Sequence, residues 1–323
     1  MAGELADGFA SAQIGPDQRT MRRRLRVGQI KVAAKLIRVA SGSGVGEAAV
    51  RGVRRTRLGR AAMDAVLGYH RVFPTLIEAE IAVLPYANGG HQNSANAQMH
   101  LDLNVTPRPS DYAALFHLAP RTRGAKLVFD LGGNVGNLYY CYEGYLRFDD
   151  DCVWNVYDLP ANLEFGSKLA AERDARHLRF TERWSDASGA DVLIVSGSLH
   201  YFRPLAHLVE GLERRPRAIL INRAPLTRGP SVAVVQDAGS FRVACMLYNR
   251  DELVAGLERL GYALVDDWRA VELSLAVPGD PDHRVDAYSG LFFELRPPRA
   301  PASPGEVDAA DARSSEGGGP ADG

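Results

Sequence analysis

Residues 128–140 read VFDLGGNVGNLYY, an apolar run that ends in Asp130 and then turns through Gly132, Gly133 and Gly136. Glycines this close mark a backbone that must turn with no Cβ in the way, or one that a ligand approaches closely. The stretch also opens a change of texture. From Lys126 onward the β-branched runs KLVFDLG, CVWNVYDL, HLRFTE, ADVLIVSG and RAILINRA alternate with helical patterns such as NLYYCYEGYL, ANLEFGSKLAAERDA and RPLAHLVEGLERR. Strands alternating with crossover-length helices predict a parallel sheet with helices on both faces. After the fifth run the helical RDELVAGLERLG leads into YALVDDWRAVEL and, past a Pro- and Asp-rich loop, into YSGLFFELRP. Two strands with no helix between them predict an antiparallel pair at one edge. The fold class expected is therefore α/β: a Rossmann-like, mostly parallel seven-stranded sheet with a C-terminal antiparallel hairpin, preceded by a helical N-terminal region.

The rest of the chain bounds this reading. Its 323 residues and 46% hydrophobic content suit an ordinary globular protein with a core. The formal net charge of −1 conceals a basic segment, because Glu47 is the one acid among the clustered Arg and Lys of residues 19–60. We divide the chain into a basic arm (1–60), a helical lead-in that serves as a substrate-facing lid (61–120), a cofactor-binding domain (121–298) and a tail (299–323). The tail is Pro, Gly, Ala, Ser and acid, a composition that predicts disorder. In the lead-in, Ser110 reads as a helix N-cap, and His91, Asn93 and Asn96 as polar residues of the lid. No apolar stretch approaches the length of a membrane span, and the start lacks the layout of a secretory signal, so a cytoplasmic location is expected. Cys141, Cys152 and Cys245 lack metal-type spacing and read as reduced, buried thiols, and GDPDH (279–283) reads as a turn rather than a metal loop.

Two cofactor loops compete for the glycine turn. The dinucleotide pattern G-x-G-x-x-G needs a glycine at position 131, which is Leu131. The pattern of S-adenosylmethionine (SAM) loops, an acid followed by G-x-G-x-G, is met by Asp130, Gly132 and Gly136, with Asn134 in place of the middle glycine. Asp130 favours the second, since an acid at the strand end suits the amino group of a methionine moiety and repels a pyrophosphate. Asp158, with Leu159 after it, closes the second strand, where an acid accepts hydrogen bonds from the ribose hydroxyls of an adenosine cofactor. Its plain alternative is a helix cap, and the two roles are compatible.

FDLGGNVGNLYY, VYDLPANLE, DVLIVSGSLHYF, ILINRAPL and VDAYSGLFFEL resemble a small bacterial family of class I SAM-dependent methyltransferases, often encoded near surface-polysaccharide genes. The similarity spans residues 90–296. More distantly, the chain is similar to small-molecule O-methyltransferases of plants and antibiotic pathways, whose G-G-G loop appears here as Gly132, Gly133 and Asn134. The resemblance implies a layout of five βα units closed by a hairpin, SAM as cofactor, and methyl transfer to a small molecule or sugar. It also implies that His200, which stands where those enzymes carry the His of an L-H-D-W motif, is the catalytic base, the plain alternative being a His that caps or packs at a helix start. Here Tyr201 and Phe202 replace the Asp and Trp.

Around that base, Ser196 and Gly197 are small enough for the cofactor's methionine end to pass. Arg223 offers a clamp for a carboxylate or, equally, a structural ion pair. Asp286 and Tyr288 precede the last strand and are read as groups that orient the acceptor or His200. SGSLHYF also differs from the motif of enzymes that methylate nucleic-acid bases, which argues against nucleic acid as partner. A nicotinamide-dependent oxidoreductase or epimerase and a SAM-fold binding protein without turnover are the competing readings. The acceptor, the choice of oxygen or nitrogen, and the oligomeric state, a homodimer included, are left open by the sequence.

Overall fold

In the computed structural model, residues 71–84, 106–237, 242–277 and 280–296 are described, with scattered positions between 45 and 59. His91, Asn93, Asn96, the tail and most of the basic arm lie outside them.

The chain runs through β1 (Val72–Phe73), α1 (Leu76–Val83), α2 (Pro109–Leu118), β2 (Leu127–Leu131), α3 (Asn137–Tyr142), β3 (Val153–Tyr157), α4 (Pro160–Glu172), β4 (Leu178–Thr181) and β5 (Val192–Ser196). It continues through a 3₁₀ turn (Leu199–Tyr201), α5 (Leu205–Glu210), β6 (Ala218–Ala224), β7 (Leu226–Thr227), β8 (Val232–Asp237), β9 (Arg242–Asn249), α6 (Arg250–Arg259), β10 (Tyr262–Ala270), β11 (Leu275–Val277), β12 (Asp280–Val285) and β13 (Tyr288–Leu295).

Seven strands form the main sheet in the order β10-β13-β6-β5-β2-β3-β4. β4, β3, β2, β5 and β6 pair in parallel, while β13 is antiparallel to both β6 and β10. The Rossmann-like sheet and its C-terminal hairpin thus stand as the sequence predicts. The chain reverses direction across the sheet between β2 and β5, the switch point where open α/β sheets leave a crevice at the strands' carboxyl ends.

Alternate residues of the central strands feed two cores, as the period of two demands. Phe129, Leu193, Val195, Ile219, Ile221, Leu291 and Phe293 face one side with α5 and α6. Val128, Val192, Ile194, Leu220 and Phe292 face the other, with α2 and α3. Burial of both faces is why β2, β5 and β6 read as continuous apolar runs.

The region between β6 and α6 departs from the expected layout. Instead of running straight into a helix, it forms β7, β8 and β9, which join β1 in a second sheet of order β1-β8-β9-β7. α1 covers one face of this sheet through Ala79 and Val83. The other face packs Val234, Cys245 and Leu247 against β11, β12, Tyr201 and Tyr288. The lead-in is accordingly not all helical, since β1 is a strand in it. The Asp-rich loop is not a loop throughout either, because Asp280–Val285 forms strand β12. Within it, His283 Nδ1 lies 2.9 Å from Asp280 Oδ1, and no group of metal-ligating side chains occurs among the described residues. The three cysteines are buried thiols, and burial pushes Cys141 and Cys152 up to about 11 and Cys245 to about 12. Among the described residues no helix is long and apolar enough to cross a membrane.

Candidate active site

At the carboxyl ends of β2, β3, β5 and β6 lies a cavity of about 410 Å³. It is walled by Asp130, Gly132, Gly133, Asn134, Asp158, Leu159, Ser196, Gly197, His200, Tyr201, Arg223 and Tyr288, twelve residues singled out from the sequence.

The two glycines after β2 have steric causes. Gly132 has φ +74°, and a Cβ there would stand 2.5 Å from Ser198 Cβ. A Cβ on Gly133 would meet Asp130 Oδ2 at 2.5 Å. Asn134 also occupies the left-handed region, with φ 56°, and its Oδ1 accepts from the Val135 N–H at 3.0 Å. Asparagine is one of the few L residues that visits this region routinely, so it reproduces the turn that the missing middle glycine would make. Asn134→Val, β-branched in a left-handed turn, should lose about 1–2 kcal/mol of stability by denaturant unfolding, whereas Asn134→Gly should be near neutral.

Asp130 is buried and accepts from Trp154 Nε1 at 3.2 Å. Burial, with a smaller contribution from the Asp158 charge, raises its carboxyl to about 7 against the pull of Trp154 and Arg223. Near neutrality it is therefore poised between acid and carboxylate, and a cationic ligand group beside it would draw it to the ionised form.

Asp158 is committed to the loop. Its Oδ2 accepts from the Asn134 N–H (2.8 Å), and its Oδ1 accepts from the Leu159 N–H (2.7 Å) and Asn162 Nδ2 (2.6 Å). Burial outweighs these bonds and leaves its pKa raised. A carboxylate has about four lone-pair positions, so one remains on Oδ2. The helix cap is Leu159, followed by Pro160 at the first helical position, rather than Asp158 itself.

His200 sits in the 3₁₀ turn after β5, buried, with its ring centroid 4.0 Å from that of Tyr201. Tyr201 donates to Gln236 Oε1 at 2.7 Å, and burial holds its phenol and that of Tyr288 well above the usual range. Both phenols stay protonated at neutral pH, so they can donate or pack but not accept a proton. Gly197, with φ +72°, has open space where a Cβ would stand, the nearest atom being Arg223 Nε at 4.0 Å. Two predicted residues do not line the cavity. Gly136 caps α3 with φ 86° and packs on Leu178, and Asp286 is exposed in a pair with Arg284 at 2.5 Å.

Arg223, also in the left-handed region, donates from Nη1 to Asp111 (3.1 Å) and from Nη2 to Ser196 Oγ (3.0 Å). Asp111, 1% exposed, also accepts from Tyr142 OH (2.5 Å), Asn222 Nδ2 (3.1 Å) and the Arg108 N–H (2.8 Å). Arg223 is thus a cavity wall and half of a buried ion pair at once. Sequence reading missed Asp111, Arg108, Asn137, Asn162 and Gln236. A signal for Asp111 existed: Pro109 stands at the first position of α2 and Asp111 at the third, so the cap is Arg108 and not Ser110. Ser110 instead donates to Glu272 Oε1.

No family model matches the chain, and no curated protein matches it. Solved structures that overlay on it include the 1,6-didemethyltoxoflavin-N1-methyltransferase of Burkholderia thailandensis with bound S-adenosylhomocysteine (20% identity, 59% of this chain and 78% of that one, TM-score 0.38). Another is the magnesium protoporphyrin IX methyltransferase of Synechocystis PCC 6803 with bound SAM (13% identity, 65% and 87%, TM-score 0.39). A third is the mitomycin 7-O-methyltransferase (14% identity, 63% and 55%, TM-score 0.37).

Proposed function

We propose that the chain is a SAM-dependent methyltransferase that methylates a hydroxyl of a small-molecule or sugar acceptor, with His200 as general base. One observation carries the reading: a single cavity at the switch point brings the acid-glycine turn of β2, the acid after β3 and the histidine after β5 together. The residues present fit the cofactor. Asp130 would hold its amino group, Asp158 would accept from a ribose hydroxyl, and Leu159 would pack beside the adenosine. Gly132, Gly133, Asn134, Ser196 and Gly197 would let the methionine end come close to the backbone. Asn137 Oδ1, which lines the same cavity and is buried without a hydrogen-bond partner, is a further acceptor for a ligand N–H or O–H.

When bound, SAM supplies a methyl group on a sulfonium, open to in-line displacement. Cavity walls that hold an acceptor hydroxyl against it supply the main acceleration, and positioning of this kind is worth roughly 7–11 kcal/mol. His200 would take the hydroxyl proton as the oxygen–methyl bond forms and the sulfur–methyl bond breaks, with the bonding pair going to sulfur so that the cofactor leaves as a neutral thioether. Tyr201 and Tyr288, kept neutral, shape the acceptor side beside Gln236 and Leu273. The proposed kinship to the small bacterial family rests on the quoted motifs.

Asp158→Ala tests the cofactor half of the proposal. It removes the ribose acceptor together with the bond that ties Asn134 to the second strand. Charged hydrogen bonds of this kind are worth about 1.5–3 kcal/mol each. Calorimetry should show S-adenosylhomocysteine binding weakened by about 10- to 100-fold in a variant that still unfolds cooperatively. Unchanged affinity would remove Asp158 from the site.

A further inference from the structure

We propose that Arg108 is a carboxylate-binding residue of this cavity. Arg108 lines the cavity together with Arg223, and the buried Asp111 forms its ion pair with Arg223. Asp111 gives its side-chain ion pair to Arg223 and takes only the backbone N–H of Arg108. No carboxylate among the described residues lies within ion-pair distance of the Arg108 guanidinium. Burial, and then the like charge of Arg223, lower the Arg108 pKa, while the charges of Asp111 and Glu272 oppose this to a smaller extent. A buried cation beside another cation is costly, and an anion placed against it relieves that cost. A planar fork of N–H donors matches a carboxylate in two-point geometry.

A carboxylate can reach Arg108 from two sources, the methionine end of the cofactor or an acidic acceptor. The first depends on the function proposed above, and the second does not. Calorimetry on the full chain separates them, with wild type, Arg108→Gln and Arg108→Lys titrated with S-adenosylhomocysteine, with 5′-methylthioadenosine, which lacks the amino-acid part, and with benzoate. If the cofactor supplies the carboxylate, Arg108→Gln should weaken S-adenosylhomocysteine on the order of 10- to 100-fold and leave 5′-methylthioadenosine unchanged, with partial recovery in Arg108→Lys. If the acceptor supplies it, S-adenosylhomocysteine should be unaffected and the benzoate bound by wild type should be lost. Equal weakening of both nucleosides, or no change with any probe, would overturn the proposal. Should wild type bind benzoate through Arg108 but no S-adenosylhomocysteine, this inference would stand while the function proposed above would fall.

Discussion

Replacing His200 with alanine should lower methyl transfer by about 10²- to 10⁴-fold, the usual contribution of a placed general base, while leaving S-adenosylhomocysteine affinity near that of wild type. The expectation rests on what else the cavity offers as a base. Tyr201 and Tyr288 stay protonated because burial holds their phenols high. Asp158 is engaged by three hydrogen bonds from the loop it supports. Asp130 titrates near 7 but is buried against Trp154, and the proposed site gives it to the cofactor's amino group. His200 is left at the carboxyl end of β5, where the acceptor would meet the methyl group. Because its ring is buried, a structural role has to be told apart from a chemical one. In the variant, the acidic limb of the pH–rate profile should vanish with kcat and leave KM little changed. A rate within about threefold of wild type, or a retained acidic limb, would remove His200 as base and bring Asp130 forward.

Asp111→Ala should be the most destabilising single change in the site, by about 3–5 kcal/mol in denaturant unfolding. The carboxylate is 1% exposed and the Arg223 side chain 7% exposed, so its loss leaves a guanidinium with no counterion in a place water reaches poorly. It would also strand the Tyr142 hydroxyl and the Asn222 amide. Asn222 in turn accepts from Trp268 Nε1 at 3.0 Å, so the disturbance would extend to the edge strand β10. Asp111→Asn, which keeps the shape and two acceptor positions, should cost less. A loss under about 1 kcal/mol for the alanine variant would mean that Arg223 finds water or another anion, and that Asp111 does not organise this wall.

Which parts of this arrangement the sequence carried follows from how local their causes are. β2, β5 and β6 are buried on both faces, so each is a continuous apolar run, and glycines mark the turn that follows β2. The edge pair β10 and β13 could be inferred from strands without a helix between them. The Pro109–Asp111 helix start marked Asp111 as a capping residue, but its role in the wall was not legible, because its partners Tyr142, Asn222 and Arg223 stand 31, 111 and 112 residues along the chain. No periodicity records such a convergence. The second sheet escaped for a related reason. β8 and β9 become a hairpin with a buried face only once β1 and α1, from early in the chain, pack against them. That sheet brings Gln236 to the cavity and fixes Tyr201, so the acceptor side was the part least legible in the sequence.

The central claim is that the glycine turn after β2 serves SAM rather than a dinucleotide. Titration of the wild-type chain with S-adenosylhomocysteine and, in parallel, with NAD by calorimetry tests it most directly. The account predicts saturable one-to-one binding of S-adenosylhomocysteine and no heat from NAD. Binding of NAD alone would contradict the role given to Asp130, and binding of neither would contradict the cofactor site itself.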